Sequence, residues 1–140
     1  MNKSTISRGQ IAEKLVRRFL LKRGYVLIGY NYRIKGGEID IISIKDNEIV
    51  FIEVRSRWQS DWKSTWSKAL VTPEDSVEKL KLSKIEKTAE TYLRKEEQDW
   101  RKYFPTLPSL VYPNWHIDLF SVLIIESTRK AYVKHYKYFH

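Results

Sequence analysis

Gly36-Gly37-Glu38-Ile39-Asp40-Ile41-Ile42 and, a short turn later, Phe51-Ile52-Glu53-Val54-Arg55 are the stretches whose reading decides the fold. Both have the apolar, β-branched character of paired strands, interrupted by acids and one base. Strands of this kind lie in a core, and a core does not tolerate unpaired charge. Either these strands have one wet face, or the acids gather around a cation.

Asp46-Asn47 supplies the turn, since both residues accept the positive φ of a tight two-residue hairpin. Pairing Lys45 with Glu48 sets the register of strands expected over 38–45 and 48–56. Ile42 then faces Phe51, Ile44 faces Ile49, Asp40 stands opposite Glu53, and Glu38 stands opposite Arg55. Facing carboxylates repel unless something positive lies between them. Their Cβ atoms would be about 5 Å apart, a span that one divalent ion can bridge. A slip or bulge of one residue would undo the pairing.

Working outward, Ser7 and Gln10 form a capping box for a helix over 8–23. Ala12, Leu15, Val16, Phe19 and Leu20 make its apolar stripe, and Gly24 is its stop. Glu13 falls on the flank of that stripe. Residues 1–6 read as a loose tail. Tyr25-Val26-Leu27-Ile28 reads as a first strand, and Asn31 to Gly37 as a basic loop carrying Arg33 and Lys35. Trp58, Trp62 and Trp66 recur every four residues and would share one helical face, packing across the mouth of the domain. Thr72-Pro73-Glu74-Asp75 starts a second helix that runs to about residue 95. Its buried stripe includes Val77, Leu80, Ile85 and Ala89, with Lys79, Lys81, Lys84 and Lys87 on other faces. Residues 96–114, with Pro105, Pro108 and Pro113, read as a weakly structured connection with exposed aromatics. Residues 115–125 form a long strand and 131–136 a last one at an edge. The expected order is α-β-β-β-α-β-β, an α/β domain spanning 1–140 with a mixed sheet flanked by helices.

The 140 residues carry 26 Lys plus Arg against 17 Asp plus Glu, a formal charge of +9. That excess favours polyanions through phosphate contacts and counterion release. With no cysteine the chain offers neither a disulfide framework nor a thiolate zinc site, which fits a reducing cytoplasm. Apolar runs such as Val122-Leu123-Ile124-Ile125 are far shorter than a membrane span, so no membrane partner is expected. His116, His135 and His140 lack HExxH spacing, and no Walker, GxGxxG or GxSxG motif occurs. What remains is a carboxylate cluster on a basic protein. Oxygen ligands suit Mg²⁺ or Mn²⁺, ions that serve phosphodiester cleavage.

Gly9-x-x-x-Glu13, Asn31-x-Arg33, Gly37-Glu38-Ile39-Asp40, Phe51-Ile52-Glu53-Val54-Arg55-x-Arg57, Ala69-x-x-Thr72-Pro73 and Ile117-Asp118 occur in an order that resembles the YraN-like family of bacterial proteins, over about residues 7–125. The resemblance implies a restriction-endonuclease-like nuclease fold, similar to archaeal Holliday-junction resolvases. It further implies Asp40 and Glu53 as metal ligands, with Glu13 as a further one, and a Mg²⁺- or Mn²⁺-dependent DNA endonuclease. Branched or damaged DNA would be candidate substrates, and a homodimer the resolvase-like assembly. Arg33, Lys35, Arg57, Lys81 and Lys84 are the expected nucleic-acid contacts. Arg55 stands where the nuclease pattern has lysine. Lysine can lose its proton and help to activate water, whereas arginine effectively cannot. Arg55 is therefore expected to hold phosphate or orient water, and a DNA-binding module without hydrolysis is the alternative. A protein-interaction domain built on the tryptophans is a third.

Overall fold

The computed structural model describes residues 7–61 and 79–137. In chain order it has α1 (Arg8–Lys22), β1 (Val26–Ile34), β2 (Gly37–Lys45), β3 (Glu48–Gln59), α2 (Lys79–Lys95), α3 (Glu97–Trp100), a 3-10 turn (Arg101–Tyr103), β4 (Trp115–Ile125) and β5 (Lys130–Lys137). The sheet order is β1-β2-β3-β4-β5, antiparallel throughout except for β3 and β4, which run parallel. This is the expected α/β architecture. The parallel pair needs a long crossover, and α2 lies within it.

Each face of the sheet buries one helix stripe. Ala12, Val16 and Leu20 of α1 pack on Ile41, Val50, Ile52, Phe120 and Val122. Ile85, Ala89, Tyr92 and Leu93 of α2 pack on Ile39, Ile42, Ile49, Phe51 and Ile117. Burying one such aliphatic side chain is worth about 2 kcal/mol, so these two stripes hold the layers together. The capping box forms as expected: the Gln10 N–H donates to Ser7 Oγ at 3.2 Å and the Ser7 N–H donates to Gln10 Oε1 at 2.9 Å. Asp46 and Asn47 both take positive φ, 51° and 63°. The hairpin register is the expected one from Lys45–Glu48 through Ile41–Ile52.

Four expectations need correction. Residues 31–34 belong to β1 and are not a loop, because Asn31 adopts φ 49° and so lets Tyr32 and Ile34 continue the pairing. Trp58 lies on β3, opposite Ile124 of β4, and packs on the α1 side; it is not on a helix. Trp62, Trp66, the Thr72-Pro73 cap and the 1–6 tail lie outside the described residues. Finally, 96–114 is more than a connection with exposed aromatics. It contains α3, buries Trp100 and Phe104 in the α2-side core, and is stapled by Arg101, which donates to the carbonyls of Leu107, Pro108 and Val111. The fourth correction concerns Glu38 and Arg55, and it defines the site.

Candidate metal-binding cleft

β2 stays with β1 down to Gly37, but its ladder with β3 ends at Ile41–Ile52. Beyond that pair the two strands part. Asp40 Oδ2 accepts the Val54 N–H at 2.7 Å, so the side chain fills a place that ladder bonds vacate. Glu38 is thus not carried to Arg55. It faces Arg33 of β1, with 3.4 Å between Arg33 Nε and Glu38 Oε1, while Arg55 Nε lies 3.3 Å from Glu53 Oε2.

A local inversion aims Asp40. Tyr30 lies under Arg17 of α1, with the guanidinium 3.8 Å from the ring centroid. Tyr32, two residues on, packs edge-to-face on Tyr92 of α2 at 5.1 Å. Regular alternation would put both rings on one face. Across the ladder, Ile41 belongs to the α1-side core and Ile39 to the α2-side core. Both strands therefore invert at the Asn31–Asp40 position, and the left-handed Asn31 is what permits it.

The parted strands open a cleft of about 390 Å³, lined by Gly36, Gly37, Asp40, Glu53, Arg55 and Lys81 among others. Glu53 is nearly buried, and its Oε2 lies 2.8 Å from Lys81 Nζ of α2. Asp40 and Glu53 are close enough for one to hydrogen-bond the other through a shared proton. Burial, and then the Glu53 charge, push Asp40 up to about 8. Gly37 brings the strand edge against α2: a Cβ there would sit 1.9 Å from Thr88 Oγ1.

The structure brings Asp40, Glu53, Arg55, Lys81 and Lys84 together in one cleft. Glu13 does not line it. Half-buried on α1, Glu13 pairs with Arg17 at 3.8 Å. Its pKa is raised, mainly by burial, and it feels the charges of Glu38 and Glu53. Arg33, Lys35 and Arg57 are exposed and lie outside the lining. Among the described residues no three His, Asp or Glu side chains converge as a metal centre. Two carboxylates that crowd each other still suit Mg²⁺ or Mn²⁺. Such ions use one or two protein carboxylates and keep several waters, and added positive charge relieves the repulsion that raises Asp40.

Sequence reading missed a second polar cluster on the α1 side. Asp118, fully buried, meets His135 Nε2 at 2.6 Å and His116 Nε2 at 3.3 Å, and His116 Nδ1 reaches Glu48 Oε1 at 3.2 Å. His135 also stacks on Phe120, with centroids 4.3 Å apart. The position of Asp118 in a strand of apolar neighbours was the available signal; the register that brings His135 to it was not visible.

The fold and cleft define a class: a basic α/β domain in which parting strands present paired carboxylates beneath lysines from a crossover helix. The chain belongs to the uncharacterised protein family UPF0102, whose profile matches residues 12–122, as the YraN-like resemblance implied. It is similar to a UPF0102 protein of Clostridium tetani, 33% identical over 128 residues that span 90% of this chain and 96% of that one. A UPF0102 protein of Alkaliphilus oremlandii is 36% identical over 102 residues, 71% of this chain and 80% of its own. One from Caldanaerobacter subterraneus is 32% identical over 105 residues, 75% and 76% respectively.

Proposed function

We propose that this protein is a divalent-metal-dependent DNA endonuclease of the restriction-endonuclease-like type, acting on branched or damaged DNA and held to phosphates by its lysines. The observation that carries the reading is the Asp40–Glu53 pair in an open cleft walled by Arg55, Lys81 and Lys84. Asp40 and Glu53 would hold a Mg²⁺ or Mn²⁺ ion, which would supply Lewis acidity toward water and a phosphodiester. Asp40, which lines the cleft, is oriented by the Val54 N–H, which fixes one carboxylate oxygen. Arg55 presents a planar, permanently charged donor suited to a phosphate oxygen. Lys81 and Lys84 add positive charge where a phosphodiester gains negative charge as it is attacked. Glu13 acts at a distance, through its field, with Arg17 as its partner.

Nicking of supercoiled plasmid and of four-way junction DNA in Mn²⁺, by wild type and by Glu53→Ala, tests this reading. Cleavage by wild type alone is expected, and equal activity in the two proteins overturns the site. A second reading, a binding module without hydrolysis, is favoured by Arg55 at the lysine place. It predicts salt-sensitive DNA affinity without cleavage, and cleavage gained by Arg55→Lys.

A further inference from the structure

Both cationic partners of Glu53 converge on one oxygen. Oε2 lies 2.8 Å from Lys81 Nζ and 3.3 Å from Arg55 Nε. They differ in how they are held. Arg55 projects from the same strand as Glu53, two residues along, so its guanidinium is tethered beside the acid. Lys81 reaches across from α2, the opposite wall, on four methylenes, and its side chain is 45% exposed. It has open cleft to move into. An oxygen engaged by an ammonium at 2.8 Å cannot give the same lone pair to a divalent ion, and two cations a few ångströms apart repel in a partly desolvated site. An ion taken up between Asp40 and Glu53 therefore competes with the ammonium for Glu53 Oε2 and, by repulsion, favours its release. The nearest place for that charge is the cleft itself, where a phosphate would lie.

We propose that Lys81 is a latch that couples the two ligands of this site: it holds Glu53 Oε2 while no divalent ion is bound, and moves onto a nucleic-acid phosphate when one enters. The inference rests on the reading of Asp40 and Glu53 as a cation site. It makes ion and nucleic acid bind cooperatively, each strengthening the other by the same factor. No bond is made or broken; one ion pair is exchanged for another. Lys84 lines the same cleft, but the ion pairs of Glu53 among the described residues are with Arg55 and Lys81. Lys84 therefore contributes to the field without acting as the latch, and it serves as the control.

Titration calorimetry with Mn²⁺ alone, on the full chain, compares wild type, Lys81→Met and Lys84→Met. Fluorescence anisotropy then follows a labelled duplex in EDTA and in Ca²⁺, an ion chosen to bind without supporting cleavage. Lys81→Met is expected to take up Mn²⁺ roughly tenfold more tightly than wild type, and Lys84→Met, which loses only its share of the field, by a clearly smaller factor. Ca²⁺ is expected to strengthen duplex binding by wild type roughly fivefold and by Lys84→Met to a similar extent, but not by Lys81→Met. Lys81→Gln, which keeps a long polar side chain, should behave as Lys81→Met does. Unchanged Mn²⁺ affinity in both Lys81 variants overturns the latch, as does Ca²⁺ enhancement that survives in them. Wild type that takes up no Mn²⁺ overturns the cation site, and the latch with it.

Discussion

Asn31 and Asp40 lie between the paired residues Tyr30–Ile41 and Tyr32–Ile39, at the one place where both strands invert their alternation. Asn31 takes φ 49°, a region in which β-branched residues are strained. Asn31→Gly should leave the melting temperature within a degree or two. Asn31→Val should cost about 1–2 kcal/mol, a drop of several degrees in a domain of this size. Equal melting temperatures for the two variants would contradict a left-handed backbone at Asn31.

The cleft carries a cost in stability that depends on pH. Asp40 titrates at about 8 in the folded chain, against an ordinary 3.8. A raised carboxyl leaves the folded state fully favoured below the unfolded pKa, and that advantage is lost as pH rises through the folded one. Asp40→Asn keeps an acceptor for the Val54 N–H and cannot ionise. It should match wild type in thermal unfolding near pH 4 and become the more stable protein by pH 8. A constant difference across that range would contradict the assigned cause.

Gly37 sets how closely β2 approaches α2. Gly37→Ala puts a methyl 1.9 Å from Thr88 Oγ1 and 3.3 Å from Thr88 Cβ, and overpacking of that kind costs about 1–3 kcal/mol. Adding Thr88→Ala removes the nearer atom, so the double variant should regain most of the loss in a denaturant midpoint. Additive losses would place the strain elsewhere.

The Asp118 cluster ties the edge strand β5 to the sheet, and its pH window has two sides. His116 is raised above 6.5, chiefly by its hydrogen bond to Asp118, so its contribution is present below that value and lost as pH rises through the folded pKa. For Asp118, burial pulls upward, but the hydrogen bonds from His116 and His135 outweigh it and hold the carboxyl below 3.8. Its contribution is lost only as pH falls through that lowered pKa. The stability difference between wild type and His116→Gln should therefore be largest between about pH 4 and 6.5, read by urea unfolding. A difference that grows above pH 8 would contradict this.

Much of this was legible because it rests on local chemistry. The Ser7–Gln10 box, the Asp46-Asn47 turn and the bounds of β4 follow from capping, positive-φ tolerance and a largely apolar run. The hairpin register followed from the turn and held until Ile41–Ile52. It failed from the next pair onward, Asp40 with Glu53 and then Glu38 with Arg55, because strand divergence is a tertiary event: β2 keeps its bonds to β1 and releases β3. Asn31 misled because a left-handed residue reads as a loop when no partner strand is known. Trp100 and Phe104 were hidden among prolines, although Arg101 and the α2-side core hold them firmly. Lys81 read as one lysine of several on a helix; only the packing of α2 shows which one meets Glu53.

Asp40 and Glu53 are proposed to hold one divalent ion between them. The most direct measurement is Mn²⁺ uptake at pH 8, followed by the loss of the free-ion electron paramagnetic resonance signal, in wild type, Asp40→Asn and Glu53→Gln. One site per chain is expected in wild type, and its loss in both variants. Equal uptake by all three proteins would contradict it.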